Sequence, residues 1–175
     1  LFTQQESDTY PAMLLQYALQ VRPDISVISF QLLENQQYRE ILIDREDLFW
    51  IPKDCSLSDF VTKILNPQTK SSPQKPVYFG SMTNKNMLEN DKTKLYLTGL
   101  AFKFSRIAYD NLAALRYNFE NRFRTDYLEL NFVPESDPAA IARINLNYIP
   151  ALLLLHRHYA ATGETEKAAR LQQLA

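Results

Sequence analysis

The chain has 175 residues, 46% of them hydrophobic and 22% charged, and a formal net charge of −1. That composition excludes a disordered or fibrous chain, and the 19 basic residues, scattered among 20 acidic ones, form no positive footprint for nucleic acid. A lone cysteine, Cys55, can form no internal disulfide, and the longest apolar run, Pro150 to Leu155, is far short of the roughly 20 residues that cross a bilayer.

Leu1-Phe2-Thr3 reads as the end of a buried strand rather than a natural start, so further sequence upstream is expected. The polar stretch from Gln4 to Thr9 reads as a loop, and a helix is predicted to begin at Pro11, where a missing N–H is tolerated. Leu14, Tyr17, Ala18 and Val21 are spaced to form its buried face, and Arg22-Pro23-Asp24 ends it. Ile25 to Phe30 is β-branched and apolar on both faces, which predicts a strand in the middle of a helix-covered sheet. Strand, helix and strand together make a βαβ unit.

A weaker helical pattern covers Glu34 to Ile43, and Leu48 to Ile51 reads as a strand or a docked apolar loop. Ser56 and Asp59 approximate a capping box, after which Leu57, Phe60, Val61, Ile64 and Leu65 share one helical face as far as Asn66-Pro67. A polar loop from Pro67 to Lys75 precedes a short strand, Pro76 to Gly80, and Leu95 to Phe104 is predicted to be a longer β segment bent or bulged at Gly99. From Asp110 the period turns helical. Leu112, Leu115, Phe119 and Phe123 line one face, and 133–137 form a linker. Asp137-Pro138 caps a stretch that runs to Gly163 and is kinked or broken at Pro150, and Glu164 to Leu174 folds back as a hairpin. Leu155, Tyr159, Gly163, Ala168 and Ala175 match the spacing of a single tetratricopeptide helix pair. An ordinary helical hairpin is the simpler reading, because such repeats stack in arrays.

Chemistry-bearing patterns are few. Three glycines, Gly80, Gly99 and Gly163, can build neither a P-loop nor a dinucleotide fingerprint. His156 and His158 are two apart on a predicted helix and point in nearly opposite directions, so no shared metal is expected. No G-x-S-x-G elbow surrounds a serine, and acids beside Cys55 disfavour a thiolate. No catalytic residue, cofactor or metal is therefore assigned. The candidate ligand-binding residues are Glu6, Asp8, Thr9 and Tyr10, because they follow the first strand and lead into a helix, where open α/β sheets bind ligands. A carboxylate pair there suits a divalent cation or sugar hydroxyls. The preferred alternative is that Asp8 or Thr9 caps the helix.

Phe2-Thr3, Asp8-Thr9-Tyr10-Pro11, Val21-Arg22-Pro23-Asp24-Ile25-Ser26-Val27-Ile28 and Leu32-Leu33 form a series that resembles the F-T-N-G-D-N-D-T-Y-P and V-R-P-D-V-x-V-I-x-x-x-L-L signature of a family of large bacterial polytopic membrane proteins. The family is of unknown function and is related to the protein O-mannosyltransferases of the GT-C type. Lys75 to Gly80 resembles its R-P-[IV]-Y-F-[AG] strand, and Leu97 to Lys103 its Y-L-x-x-x-G-L-A-Y-R segment. Gln4-Gln5-Glu6-Ser7 stands where the family has N-G-D-N. The resemblance implies a C-terminal soluble domain on the periplasmic or extracellular face, anchored by upstream transmembrane segments. In GT-C enzymes the catalytic carboxylate lies in an early loop between membrane helices, which implies an accessory role for this part.

The expected architecture is α/β, with a Rossmann-like layered subdomain over 1–105 and an α-helical, tetratricopeptide-like subdomain over 106–175. The expected role is a non-catalytic module of a membrane glycosyltransferase-like protein, partnered by its own transmembrane region and a protein or glycan acceptor. Two other roles stay open: a peptide- or protein-binding module using the helical tail, and a free-standing enzyme or sugar-binding domain using the first loop.

Overall fold

The computed structural model describes residues 1–67, 75–84, 94–129 and 137–174. The chain is mixed α/β and divides into two compact units, Leu1–Thr93 and Lys94–Ala175. In sequence terms the second unit takes in the segment Leu95 to Ser105 along with the helices that follow it. Among the described residues no helix is long and apolar enough to cross a membrane.

The first unit is built on three parallel strands. β1 (Phe2–Thr3) lies between β2 (Ile28–Ser29) and β3 (Tyr78–Gly80), with Phe2 opposite both Ile28 and Phe79. The apolar segment Ile25 to Phe30 thus supplies only a short strand, and within this unit the middle position belongs to β1. Ile28 and Phe30 N–H donate to the carbonyls of Leu1 and Thr3 at 2.8 and 2.9 Å. Phe2, Phe30 and Phe79 bring their rings together with centroids 5.0 to 6.1 Å apart. Three aromatic rings removed from water and packed face to face or tilted tie the three strands together.

Helix α1 (Glu6–Tyr17) begins five residues before the expected Pro11, which lies inside it. Asp8 starts the helix early, because its carboxylate accepts from the Gln5 N–H at 2.8 Å and the Gln4 N–H at 3.2 Å, satisfying backbone donors at the entry. Pro11 leaves the Ser7 carbonyl without its usual donor four residues on, a loss the following turns absorb. The buried residue of α1 is Thr9. Leu14 and Tyr17, expected to face inward, are 62% and 67% exposed, and Val21 is exposed as well. The expected face, Ala18 included, is thus the outward one, and the side carrying Thr9, with half-buried Ala12, Met13 and Gln16, is turned inward.

After a 3-10 turn at Leu32–Glu34, α2 (Gln36–Arg45) is capped by Asn35, whose side chain accepts from Gln37 N–H. Leu48 to Ile51 forms no strand but a turn that buries Ile51 and leaves Phe49 exposed. α3 (Leu57–Leu65) follows its sequence pattern closely: Ser56 Oγ accepts from Asp59 N–H at 3.1 Å, and Phe60, Val61 and Leu65 are buried. The loop expected over 67–75 lies largely outside the described residues.

The second unit opens with β4 (Lys94–Leu97) and β5 (Ala101–Ser105), an antiparallel pair in which Leu97 faces Phe102. Gly99 is therefore in a hairpin turn, closed by Thr98 N–H on the Ala101 carbonyl, rather than at a bend in one strand. A side chain there would begin 3.3 Å from the Phe123 ring, so the close approach suits glycine. Asp110 caps α4 (Asn111–Asn121) by accepting from Ala113 N–H. Short α5 (Asp126–Glu129) follows, and of the linker expected over 133–137 only Asp137 is described. α6 (Pro138–Asn145) leads through a 3-10 turn at Leu146–Tyr148 to α7 (Ile149–Thr162), with Pro150 in its first turn where proline is tolerated. Gly163, at φ +79°, ends α7 in the left-handed conformation, and α8 (Thr165–Leu174) folds back on it. Leu115 from α4, Leu152, Leu155 and Tyr159 from α7, and Ala168 and Leu171 from α8 form the core of this unit.

Candidate functional site

The short β1 delivers the chain to the start of α1, and β2 delivers it to the Leu32–Glu34 turn. The two parallel strands end side by side, and their carboxyl ends border an open polar crevice of about 590 Å³ lined by Gln4, Gln5, Glu6, Ser7, Gln31 and Glu34. The crevice lies beyond the carboxyl ends of these strands, the end at which open α/β sheets bind ligands, although the order β2-β1-β3 puts the switch point between β1 and β3.

The four candidate residues diverge from this point. Glu6 is exposed and lines the crevice. Asp8 is half-buried and spends its carboxylate on the backbone N–H groups of Gln4 and Gln5. It also lies over Gly80: a Cβ placed there would be 3.0 Å from Asp8 Oδ2. Thr9 faces the sheet, where its hydroxyl donates to Thr3 Oγ1 at 2.8 Å, and Thr3 Oγ1 in turn donates to the Ile28 carbonyl at 3.4 Å. Tyr10 is 57% exposed on the other side of the helix, in an apolar groove with Pro11, Leu14 and Tyr17. Asp8 thus performs the capping role, as the third residue of the helix reaching back, while Thr9 serves as a packed hydroxyl.

Gln31 and Glu34 complete the crevice, and the sequence reading passed them over. The usable signal was their place just after the second parallel strand, which adjoins the first. Two further polar atoms are buried close to these elements with no hydrogen-bond partner among the described residues: Gln4 Oε1, and the hydroxyl oxygen of Thr83, a residue 5% exposed. A Cβ at Gly80 would lie 3.8 Å from that Thr83 oxygen. Buried polar atoms of this kind ordinarily find a partner. The crevice can hydrogen-bond hydroxyls through its amides and carboxylates. Among the described residues no group of three or more histidine, cysteine or acidic side chains is placed to hold a metal ion.

The second unit carries a charged cluster with a structural role. Tyr159 hydroxyl donates to Glu120 Oε1 at 2.8 Å, and Lys167 donates to Glu120 at 2.9 Å and to Glu164 at 2.8 Å, tying α4, α7 and α8 together. The hydrogen bond from Lys167 holds Glu120 below the usual carboxylate range, while burial, followed by the Glu120 hydrogen bond, pushes Tyr159 up. His158 Nε2 lies 3.2 Å from Arg116 Nη1 and serves the same packing. Cys55 is buried and its thiol is pushed up, first by desolvation, so it is a poor nucleophile.

Compared with known protein families, curated proteins and solved structures, the chain matches none of them.

Proposed function

We propose that this chain is a non-catalytic exocytoplasmic module of a polytopic membrane protein of the glycosyltransferase-like kind, supporting or recognising the acceptor. The observation that carries the reading is the convergence of the resemblance motifs. Phe2-Thr3, Asp8-Thr9, Ile28 and Phe79-Gly80 are far apart in sequence, yet they meet at one place, through the Thr9–Thr3–Ile28 hydroxyl chain, the Asp8 carboxylate over Gly80 and the pairing of Phe2 with Phe79. That these residues form one interlocked unit supports reading the matched segments together. The same reading takes the β1–α1–β2 unit with β3 as a Rossmann-like layer and the α7–α8 hairpin as tetratricopeptide-like.

A second reading, favoured by the unpartnered Gln4 and Thr83 oxygens and by the amide and carboxylate lining of the crevice, makes this end of the sheet a binding site for a sugar or another polyol. Fractionation of the full-length gene product with protease protection in intact cells tests the first reading. Sedimentation with membranes and digestion of this segment from outside are expected, and recovery in the cytosolic fraction would overturn it.

A further inference from the structure

The two buried oxygens without a partner among the described residues flank the switch point of the first unit's sheet. Gln4 directly follows β1 and Thr83 stands three residues beyond β3. Thr83 N–H donates to the Gly80 carbonyl at 3.1 Å, and the Ser7 hydroxyl donates to Met82 Sδ at 3.5 Å, so the turn after β3 is held against a residue that lines the crevice. Thr83 Oγ1 and Asp8 Oδ2 lie 3.8 and 3.0 Å from the same point, where a Gly80 side chain would start. Asp8 Oδ2 also accepts from the Gln4 N–H. Gln4 and Thr83 are thus brought together around Asp8, with Gln4 itself forming part of the crevice lining.

We propose that the crevice extends to this switch point and binds a neutral sugar, not a phosphorylated ligand, with sugar hydroxyls bonded to Gln4 Oε1 and Thr83 Oγ1. The inference rests on the polyol reading of the crevice and adds to it the anchoring atoms and the charge selection. A helix N-terminus beyond a parallel strand ordinarily attracts phosphate through its free N–H groups. Here a carboxylate of the chain occupies that place, since Asp8 accepts from the Gln4 and Gln5 N–H groups at the entry to α1. Glu6 and Glu34 add two more carboxylates, and none of the residues lining the crevice is basic, so a phosphate would meet like charge. Hydroxyls both donate and accept, which suits them to the lining of amides and carboxylates and to the Thr83 hydroxyl. A buried polar atom left unpaired costs stability, and a ligand that pairs it recovers that cost on binding.

Isothermal titration calorimetry with methyl mannoside, methyl glucoside and glucose 6-phosphate tests the proposal, with melting temperatures measured alongside. A neutral glycoside is expected to bind, and glucose 6-phosphate at least about tenfold more weakly at low salt, a gap that narrows as salt screens the carboxylates. Thr83→Val removes the buried hydroxyl and keeps its shape. It should abolish binding while leaving the melting temperature unchanged or higher, and Thr83→Ser should restore binding. A hydroxyl with a purely structural role would instead lower the melting temperature on removal and leave binding intact. Gln4→Met should also abolish binding, a check that does not depend on Thr83. Failure of both neutral glycosides to bind would overturn this inference and the polyol reading together. Glycoside binding that survives Thr83→Val or Gln4→Met, or glucose 6-phosphate bound as tightly as methyl glucoside, would overturn this inference alone.

Discussion

Replacing Gly80 with alanine should destabilise the chain, and the same replacement should stabilise an Asp8→Ala variant. The reversal follows from one contact. The new methyl would sit 3.0 Å from Asp8 Oδ2, too close, whereas the Phe2 carbonyl at 3.5 Å and Thr83 Oγ1 at 3.8 Å are ordinary neighbours. Asp8 Oδ2 must give by a few tenths of an ångström, which strains the bonds its carboxylate accepts from the Gln4 and Gln5 N–H groups, together worth about 1–2 kcal/mol. Against this, alanine in a strand gains about 0.5–1 kcal/mol over glycine through the unfolded chain. The wild type should therefore lose on the order of 0.5–1 kcal/mol, and the Asp8→Ala background should gain a similar amount, giving a coupling of about 1–2 kcal/mol. Urea unfolding of the four members of this cycle measures it. Equal effects of Gly80→Ala in both backgrounds would show that the carboxylate is not held where the capping geometry puts it. Asp8→Ala by itself should cost about 1–2 kcal/mol and Glu6→Ala under about 0.5 kcal/mol. A thermal shift of several degrees with calcium, magnesium, manganese or a mannoside, lost in both variants, would instead make the pair a ligand site.

Gly163→Ala should cost about 1 kcal/mol in thermal unfolding, and Gly163→Asn less, because the position has φ +79° with nothing within 4 Å to clash, so the penalty is purely conformational. Glu120 has a depressed pKa in the folded state, so its stabilising contribution is present above its ordinary value of 4.5 and is lost as pH falls through the lower folded value. The stability gap between wild type and Glu120→Gln, read from melting temperatures across acidic pH, should close on acidification. A gap that stays constant would show that the Lys167 contact does not favour the ionised acid.

Features that depend on neighbours in the chain were legible in the sequence. Ser56 caps α3 with a bond to a residue three positions on, and the face of Phe60, Val61 and Leu65 follows from helical period alone. Gly163 ends α7 because the left-handed turn there is a local requirement, and the return of α8 follows from it. The crevice was legible in part: Glu6 lines it by following the first strand, but Gln31 and Glu34 enter only because β2 pairs beside β1.

Tertiary structure decided which side of α1 is inside. Periodicity can show that Leu14, Tyr17 and Val21 share a face, but it carries no information about what that face meets. The Thr9–Thr3–Ile28 hydroxyl chain and the Asp8–Gly80 contact, made across separations of 6 to 72 residues, turn the Thr9 side inward. The start of α1 at Glu6, by contrast, rests on a local bond, Asp8 reaching back three residues to the Gln5 N–H. The middle position of β1 in its unit comes from pairings with strands about 25 and 77 residues away, which no local pattern encodes. By itself the sequence determined the mixed α/β class, α3, the helical hairpin and the absence of any glycine-rich phosphate loop. Those are properties of composition and short-range geometry, whereas the strand order, the seat of α1 and the makeup of the crevice depend on contacts between residues far apart in the chain.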